Sequence, residues 1–155
     1  MMKEIILLIA MTMVSYLGMA QNGSEEKLIY CSCAENHYGL PVGEISKIYY
    51  ELIADEGTEP QVVYAIVRGA GPEKKKYVAT AEDVSELQKI LADMKVDDLN
   101  GYKVDERMTG GTSYRIYMEY SSGKKINATW FTHNPRHEAV IAYNTILRFL
   151  SSKAK

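Results

Sequence analysis

The sequence predicts an α+β fold: an antiparallel sheet of four or five strands, built from two hairpins, with two helices packed on one face. Three observations carry this. Segments with period-two alternation of apolar and polar residues come in neighbouring pairs, around 44–68 and 114–131, each pair joined by turn-forming residues. Two stretches with apolar residues three and four apart, near 84–94 and 139–150, each follow such a pair. Hairpin-joined strands with interposed helices bury one face of an antiparallel sheet, whereas single strands alternating with helices would build a parallel one.

The first strand runs from Glu44 to Ile53 (EISKIYYELI), with Ile48, Tyr50 and Leu52 alternating against Lys47, Tyr49 and Glu51. The turn ADEGTEP leads to Gln61–Arg68 (QVVYAIVR), whose nearly continuous apolar run suits a more central strand. Gly69-Ala70-Gly71-Pro72 and the cationic run Lys74 to Lys76 read as a solvated turn, and Tyr77 to Ala79 as the candidate fifth strand. Thr80 is a natural N-cap, Glu82 and Asp83 suit the positive end of a helix, and Val84, Leu87, Leu91 and Met94 form its apolar stripe. The second hairpin is the clearest element. YRIYMEY (114–120) puts Tyr114, Ile116, Met118 and Tyr120 on one face, Ser121-Ser122-Gly123 turns the chain, and KINATWF (125–131) returns with Ile126, Ala128 and Trp130 on that face. Asn134-Pro135 is expected to open the last helix, with the stripe Ala139, Tyr143, Ile146 and Leu150.

Ahead of these elements, MMKE with Lys3, the apolar run Ile5 to Leu17 and the small-residue end Gly18-Met19-Ala20 have the form of a cleaved secretory signal over 1–20. The run is too short for a membrane span. Residues 21–43 read as a polar N-terminal segment and 44–152 as a single α+β domain, placed in the periplasm or secreted, with no membrane span after cleavage. Tyr30 before Cys31, and the charged EEK between that cysteine and the apolar run, argue against acylation of Cys31.

A formal net charge of −2 provides no basic face for nucleic acid, so no nucleic-acid partner is expected. Tyrosine is abundant, 12 in the chain, and its apolar ring with a polar tip suits half-buried sheet faces and binding surfaces alike.

The run LNGYKVDERMTGGTSYRIYMEYSSGKKINATWFTHNP, with an amphipathic helix on either side, resembles a group of small uncharacterised bacterial secreted α+β domains. In these a helix leads to an aromatic-Asn-Gly-aromatic turn, then a hairpin ending near Asn-x-x-Pro, then a helix. The resemblance covers Val84 to Phe149 and departs from the pattern at Leu99 and Gly110. It implies a compact α+β module and transfers no activity to any residue.

The candidate chemistry begins with IYCSCAENHYGL, which holds both cysteines. Cys31 and Cys33 admit three readings: a disulfide, within the pair or between chains; free, partly buried thiols; or, with His37, a metal site. Three ligands fall short of a closed zinc site, and an oxidising compartment sets thiolates toward disulfide formation. His133 and His137 have i, i+4 spacing, but Pro135 between them breaks the helical continuity of a zinc motif. Asp97, Asp98, Asp105 and Glu106 flank the Asn-Gly turn and read as loop solubilisers, and Gly110-Gly111 precedes a strand without the lysine and serine of a phosphate loop. No Ser/His/Asp set stands out, so no catalytic residue and no cofactor are assigned.

What remains is the sheet face opposite the helices. Alternation places Tyr49, Arg115, Tyr117, Glu119, Asn127 and Thr129 there. Tyr and Arg combine contact area with directional hydrogen bonds, which suits a glycan or a partner protein; cross-strand Tyr, Arg and Glu also simply stabilise a solvated sheet. The expectation is a non-catalytic binding or inhibitor-like module using Tyr49, Arg115, Tyr117, Asn127 and Thr129. The alternative is a small metal- or thiol-dependent enzyme using Cys31, Cys33 and His37.

Overall fold

A computed structural model of the chain describes residues 26–69, 71–104, 111–132 and 135–155. The expected signal over 1–20, Asp105, Glu106, Gly110, His133 and Asn134 lie outside the described residues. Six strands, β1 (Leu28–Tyr38), β2 (Ile45–Ile53), β3 (Gln61–Arg68), β4 (Gly71–Val78), β5 (Gly111–Tyr120) and β6 (Lys125–Phe131), form one antiparallel sheet in the order β4-β3-β2-β1-β5-β6. Two helices, α1 (Ala81–Asp93) and α2 (His137–Lys153), and a 3-10 turn (Val96–Leu99) pack on one face. Among the described residues no helix is long and apolar enough to cross a membrane.

The α+β class, the antiparallel pairing and the two helices match the expectation, but the sheet has six strands rather than four or five. The largest correction is β1. The segment 21–43, read as a polar lead-in, contains an 11-residue strand that is hydrogen-bonded on both sides, to β2 and to β5. Its middle residues, Cys31 to Ala34, are small where those on the neighbouring strands are large. Cys31 and Cys33 fit beneath the helices between Leu52 and Tyr50 on one side and Met118 and Ile116 on the other. The second correction is β4: Lys74 to Lys76 lie on an edge strand rather than in a solvated turn, and the strand begins at Gly71 instead of Tyr77. A row of lysines on an edge strand discourages pairing with another chain.

The covered face holds the core. Cys31, Leu52, Val62, Ile116, Met118, Ile126 and Trp130 from the strands meet Leu87 and Leu91 of α1 and Ala139, Ala142, Tyr143, Ile146 and Leu150 of α2. Trp130 is its aromatic centre, with its ring centroid 6.2 Å from Tyr102, 6.0 Å from Tyr114 and 5.9 Å from Tyr143.

Both helix stripes are as predicted, and the start of α1 is too. The Thr80 hydroxyl accepts from the Asp83 N–H (3.1 Å) and the Asp83 carboxylate accepts from the Thr80 N–H (2.9 Å). α2 starts later than expected, at His137 with Arg136 as N-cap. Arg136 is extended (ψ 135°), so the helix begins after it, and the Tyr102 hydroxyl accepts from the Arg136 N–H at 2.9 Å. The same Tyr102 strand segment covers the outer edge of β6: the Thr129 N–H donates to the Tyr102 carbonyl (2.9 Å) and the Val104 N–H to the Thr129 carbonyl (3.1 Å).

Candidate functional site

The expected chemistry at the cysteines does not assemble. Cys31 and Cys33 are free thiols, 0% and 1% exposed, side by side on the covered face of β1. Residues i and i+2 of an extended strand stand roughly 6.6 Å apart with parallel side chains, too far for the Cβ separation of about 3.8 Å that a disulfide needs. Each thiol is packed in the core, so neither reaches a partner chain. Burial pushes both up, Cys33 to about 12, the reverse of what a nucleophile requires. His37 is four residues beyond Cys33, about 13 Å along the strand. Its imidazole lies 3.1 Å from the Thr112 hydroxyl and 3.6 Å from the Glu35 carboxylate. The three expected ligands therefore do not meet, and among the described residues no three His, Cys, Asp or Glu side chains converge on a metal position.

The other polar candidates are dispersed. His137 is exposed at the first turn of α2, and Asp97, on the 3-10 turn, pairs with the Lys124 ammonium at 2.5 Å.

The face without helices is where expected residues come together. A shallow concavity of about 480 Å³ lies over β1, and Tyr49, Arg115 and Tyr117 all line it. Its floor is Ser32 and Ala34. Ser32 is opposite Glu51 of β2 and Tyr117 of β5, while Ala34 is opposite Tyr49 and Arg115. Small side chains on the central strand between large ones on both neighbours make a groove along β1. Asn127 and Thr129 stand beside it on β6, opposite Tyr117 and Arg115. The Arg115 Nε–H donates to the Asn127 Oδ1 at 2.9 Å, so Asn127 orients the guanidinium.

Sequence reasoning missed Lys47, Glu51, Tyr30 and the groove floor. The signal was present as two similar pentapeptides, KIYYE (47–51) and RIYME (115–119). β2 and β5 both run antiparallel to β1 and so parallel to each other, and the two copies stand on either side of it pointing the same way. Each copy puts a cation, a tyrosine and a carboxylate on the open face. In each the cation lies over the tyrosine ring: Lys47 Nζ is 4.8 Å from the Tyr49 centroid and the Arg115 guanidinium carbon 5.1 Å from that of Tyr117. Each carboxylate accepts from a tyrosine hydroxyl, Glu51 from Tyr30 (2.7 Å) and Glu119 from Tyr117 (3.2 Å). Burial, and then the Glu51 carboxylate, hold the Tyr30 phenol well above its ordinary range, so it remains a donor.

Beneath these polar heads the floor is firm. Tyr49 is 8% exposed and packs with Ala34 and Ala65 in a small apolar cluster of its own. Lys74 of β4 adds a third cation, 5.9 Å from the Tyr49 centroid.

A somewhat larger cavity of about 540 Å³ lies between α1 and the start of β1, lined by Leu28, Pro60, Val84 and Gln88 among others. The Gln88 amide is already committed to backbone, donating to the Glu26 carbonyl (2.6 Å) and accepting from the Leu28 N–H (3.0 Å). Lys27, Glu56, Ser85 and Lys89 also stand at that cavity, and none of the candidate site residues lines it. No protein family matches this chain, and no curated protein or solved structure matches it either.

Proposed function

We propose that the chain is a non-catalytic binding or inhibitor-like module, acting in the periplasm or outside the cell, that engages a protein or glycan partner through its helix-free sheet face. The contact residues are Tyr49, Arg115 and Tyr117 in the groove with Asn127 and Thr129 beside it, and no cofactor takes part. One observation supports this above the rest: Tyr49, Arg115 and Tyr117, three of the five residues that the sequence singles out on the open face, line one concavity over β1. Exposed Arg115 and half-buried Tyr117, set around a firm floor that includes Tyr49, have the composition of interface anchors. Against the thiol- or metal-dependent alternative stand the burial of Cys31 and Cys33 and the place of His37, beside Thr112 and Glu35.

The test compares wild type with an Arg115→Ala, Asn127→Ala double variant. Both residues are exposed, so the melting temperature is expected to stay within a few degrees. Wild type immobilised on a resin retains a partner from its own envelope or medium and the variant does not. Equal retention by both, or by neither, overturns the proposal.

A further inference from the structure

The geometry points to an extended segment of a partner protein, carrying an acidic and a basic side chain about four residues apart, as the occupant of the groove over β1. This rests on the binding reading above and names the class of partner.

Charge is ordered along the groove. At one end Lys47 and Arg115 flank Tyr49 and Ala34, and Lys74 of β4 approaches the Tyr49 ring from outside the groove. Their partners among the described residues are the Tyr49 and Tyr117 rings and the Asn127 amide, and no carboxylate neutralises them. Toward the other end are Glu51, level with Tyr117, and Glu119, two residues further along and paired with Lys125 at 3.4 Å, with Asp55 on the rim. Both walls have the same polarity, because KIYYE and RIYME run in the same direction. Cation and carboxylate of one wall are four strand residues apart, about 13 Å. An extended chain advances by the same distance in four residues, so an acidic and a basic side chain at that spacing meet both ends at once.

Width and surface chemistry exclude the other occupants. The walls stand two strand spacings apart, roughly 10 Å between backbones, which admits one extended chain and not a helix about 10 Å across once the wall side chains are counted. A sugar would need an open aromatic face, yet the Tyr49 and Tyr117 rings are capped by cations and the Tyr30 ring packs edge to face with Tyr117, centroids 5.8 Å apart. An anionic glycan would also meet Glu51 and Glu119. A second copy presents the same concavity, and two concave faces leave a void between them.

The experiment uses short synthetic peptides blocked at both termini, in a Thr/Ser/Val background. One set carries a single Glu and a single Lys four residues apart, in both orders; the controls carry two Glu or two Lys. Binding is followed by amide NMR shifts of Ser32, Ala34, Tyr49 and Tyr117 at low ionic strength. One order of the dipolar peptide is expected to bind about fivefold or more tighter than either control, with the preference screened away at about 0.5 M salt. A Glu51→Gln, Glu119→Gln variant keeps an acceptor for both tyrosine hydroxyls and is expected to lose the preference. Reversing the walls, with Lys47→Glu, Glu51→Lys, Arg115→Glu and Glu119→Lys in one protein, is expected to select the opposite order.

Equal binding of dipolar and uniformly charged peptides, or of none, overturns the inference. Sulfated or uronic oligosaccharides that bind the wild type and are indifferent to Glu51→Gln, Glu119→Gln overturn it while leaving the open face as the binding surface. A dimer in sedimentation that the wall reversal dissolves overturns it in favour of a second copy. Peptide binding that shifts residues elsewhere and not the groove overturns both this inference and the proposed face.

Discussion

Cys33 is paired across the sheet with Tyr50 on one side and Ile116 on the other, and this position decides its chemistry. A thiol in the middle of a sheet under two helices behaves as a small apolar side chain. The native protein is therefore expected to leave both cysteines unmodified by a chromogenic disulfide reagent over the time in which denatured protein reacts at both. Cys33→Ala is expected to cost about 1–2 kcal/mol in denaturant unfolding and Cys33→Ser more, since the hydroxyl enters an apolar site. Rapid reaction of the folded protein would show that the strand opens around its thiols.

The same burial sets an alkaline limit. The Cys33 thiol titrates near its ordinary 9.0 when unfolded and is pushed up to about 12 when folded. A raised folded value means that the native state holds the proton longer. Stability is then fully present below pH 9 and falls as pH rises from 9 toward 12. Tyr120, pushed up to about 12, acts in the same direction above pH 10. Guanidinium midpoints from pH 7 to 11 are expected to be level and then to decline. Cys33→Ala should soften the decline that begins near pH 9.

Asp83 joins the two helices. Its carboxylate closes the capping box on Thr80 and also takes the Lys153 ammonium at 2.6 Å, tying the start of α1 to the end of α2. Lys153, and next the Thr80 N–H, hold the Asp83 carboxyl below the ordinary carboxylate value. A lowered folded value contributes stability that is present above about 3.8 and is lost as pH falls through the folded value. Thr80→Ala is expected to cost about 1 kcal/mol at neutral pH. Asp83→Asn should flatten the acid limb of the stability profile below pH 4, and an unchanged acid limb would assign that limb to other carboxylates.

What was legible in the sequence was whatever a side chain could announce by itself. KINATWF and YRIYMEY alternate because one face is buried, and the face assignment of Ile48, Tyr50, Ile116, Met118 and Trp130 against Tyr49, Arg115 and Tyr117 holds in the sheet. β1 was illegible because its character comes from its neighbours. Ser32 and Ala34 are small to leave room for Tyr49, Arg115 and Tyr117, and Glu35, Asn36 and His37 give its end a polar texture. β4 was hidden by the lysines that protect an edge. The groove followed the same logic, since its walls were readable as Tyr and Arg on the open face while its floor required the missing central strand.

Trp130 is the hub of the covered face, 2% exposed within reach of Tyr102, Tyr114 and Tyr143. As the chain's one tryptophan it reports on its own surroundings. Native fluorescence is expected to be blue-shifted and to move red in one cooperative step on denaturation. Trp130→Ala is expected to cost about 3–5 kcal/mol, a large share of the roughly 5–15 kcal/mol available to a domain of this kind. Trp130→Phe should recover more than half of that in a urea titration.

The two sheet edges are guarded by different means, and that difference can be tested. Among the described residues β4 has β3 on one side and no strand hydrogen-bonded on the other, so its protection comes from Lys74, Lys75 and Lys76. β6 is guarded by backbone: Gly101, Tyr102 and Val104 take up its outer donors and acceptors at Asn127 and Thr129. Replacing Lys74, Lys75 and Lys76 with Thr, Val and Thr leaves strand propensity intact and removes the charges. This variant is expected to self-associate with rising concentration in light scattering, although its net charge moves further from zero. Lys125→Thr on β6 removes one exposed cation from an edge already covered, and is expected to stay at the wild-type size. Association of the Lys125 variant but not of the β4 variant would reverse the assignment of which edge is open.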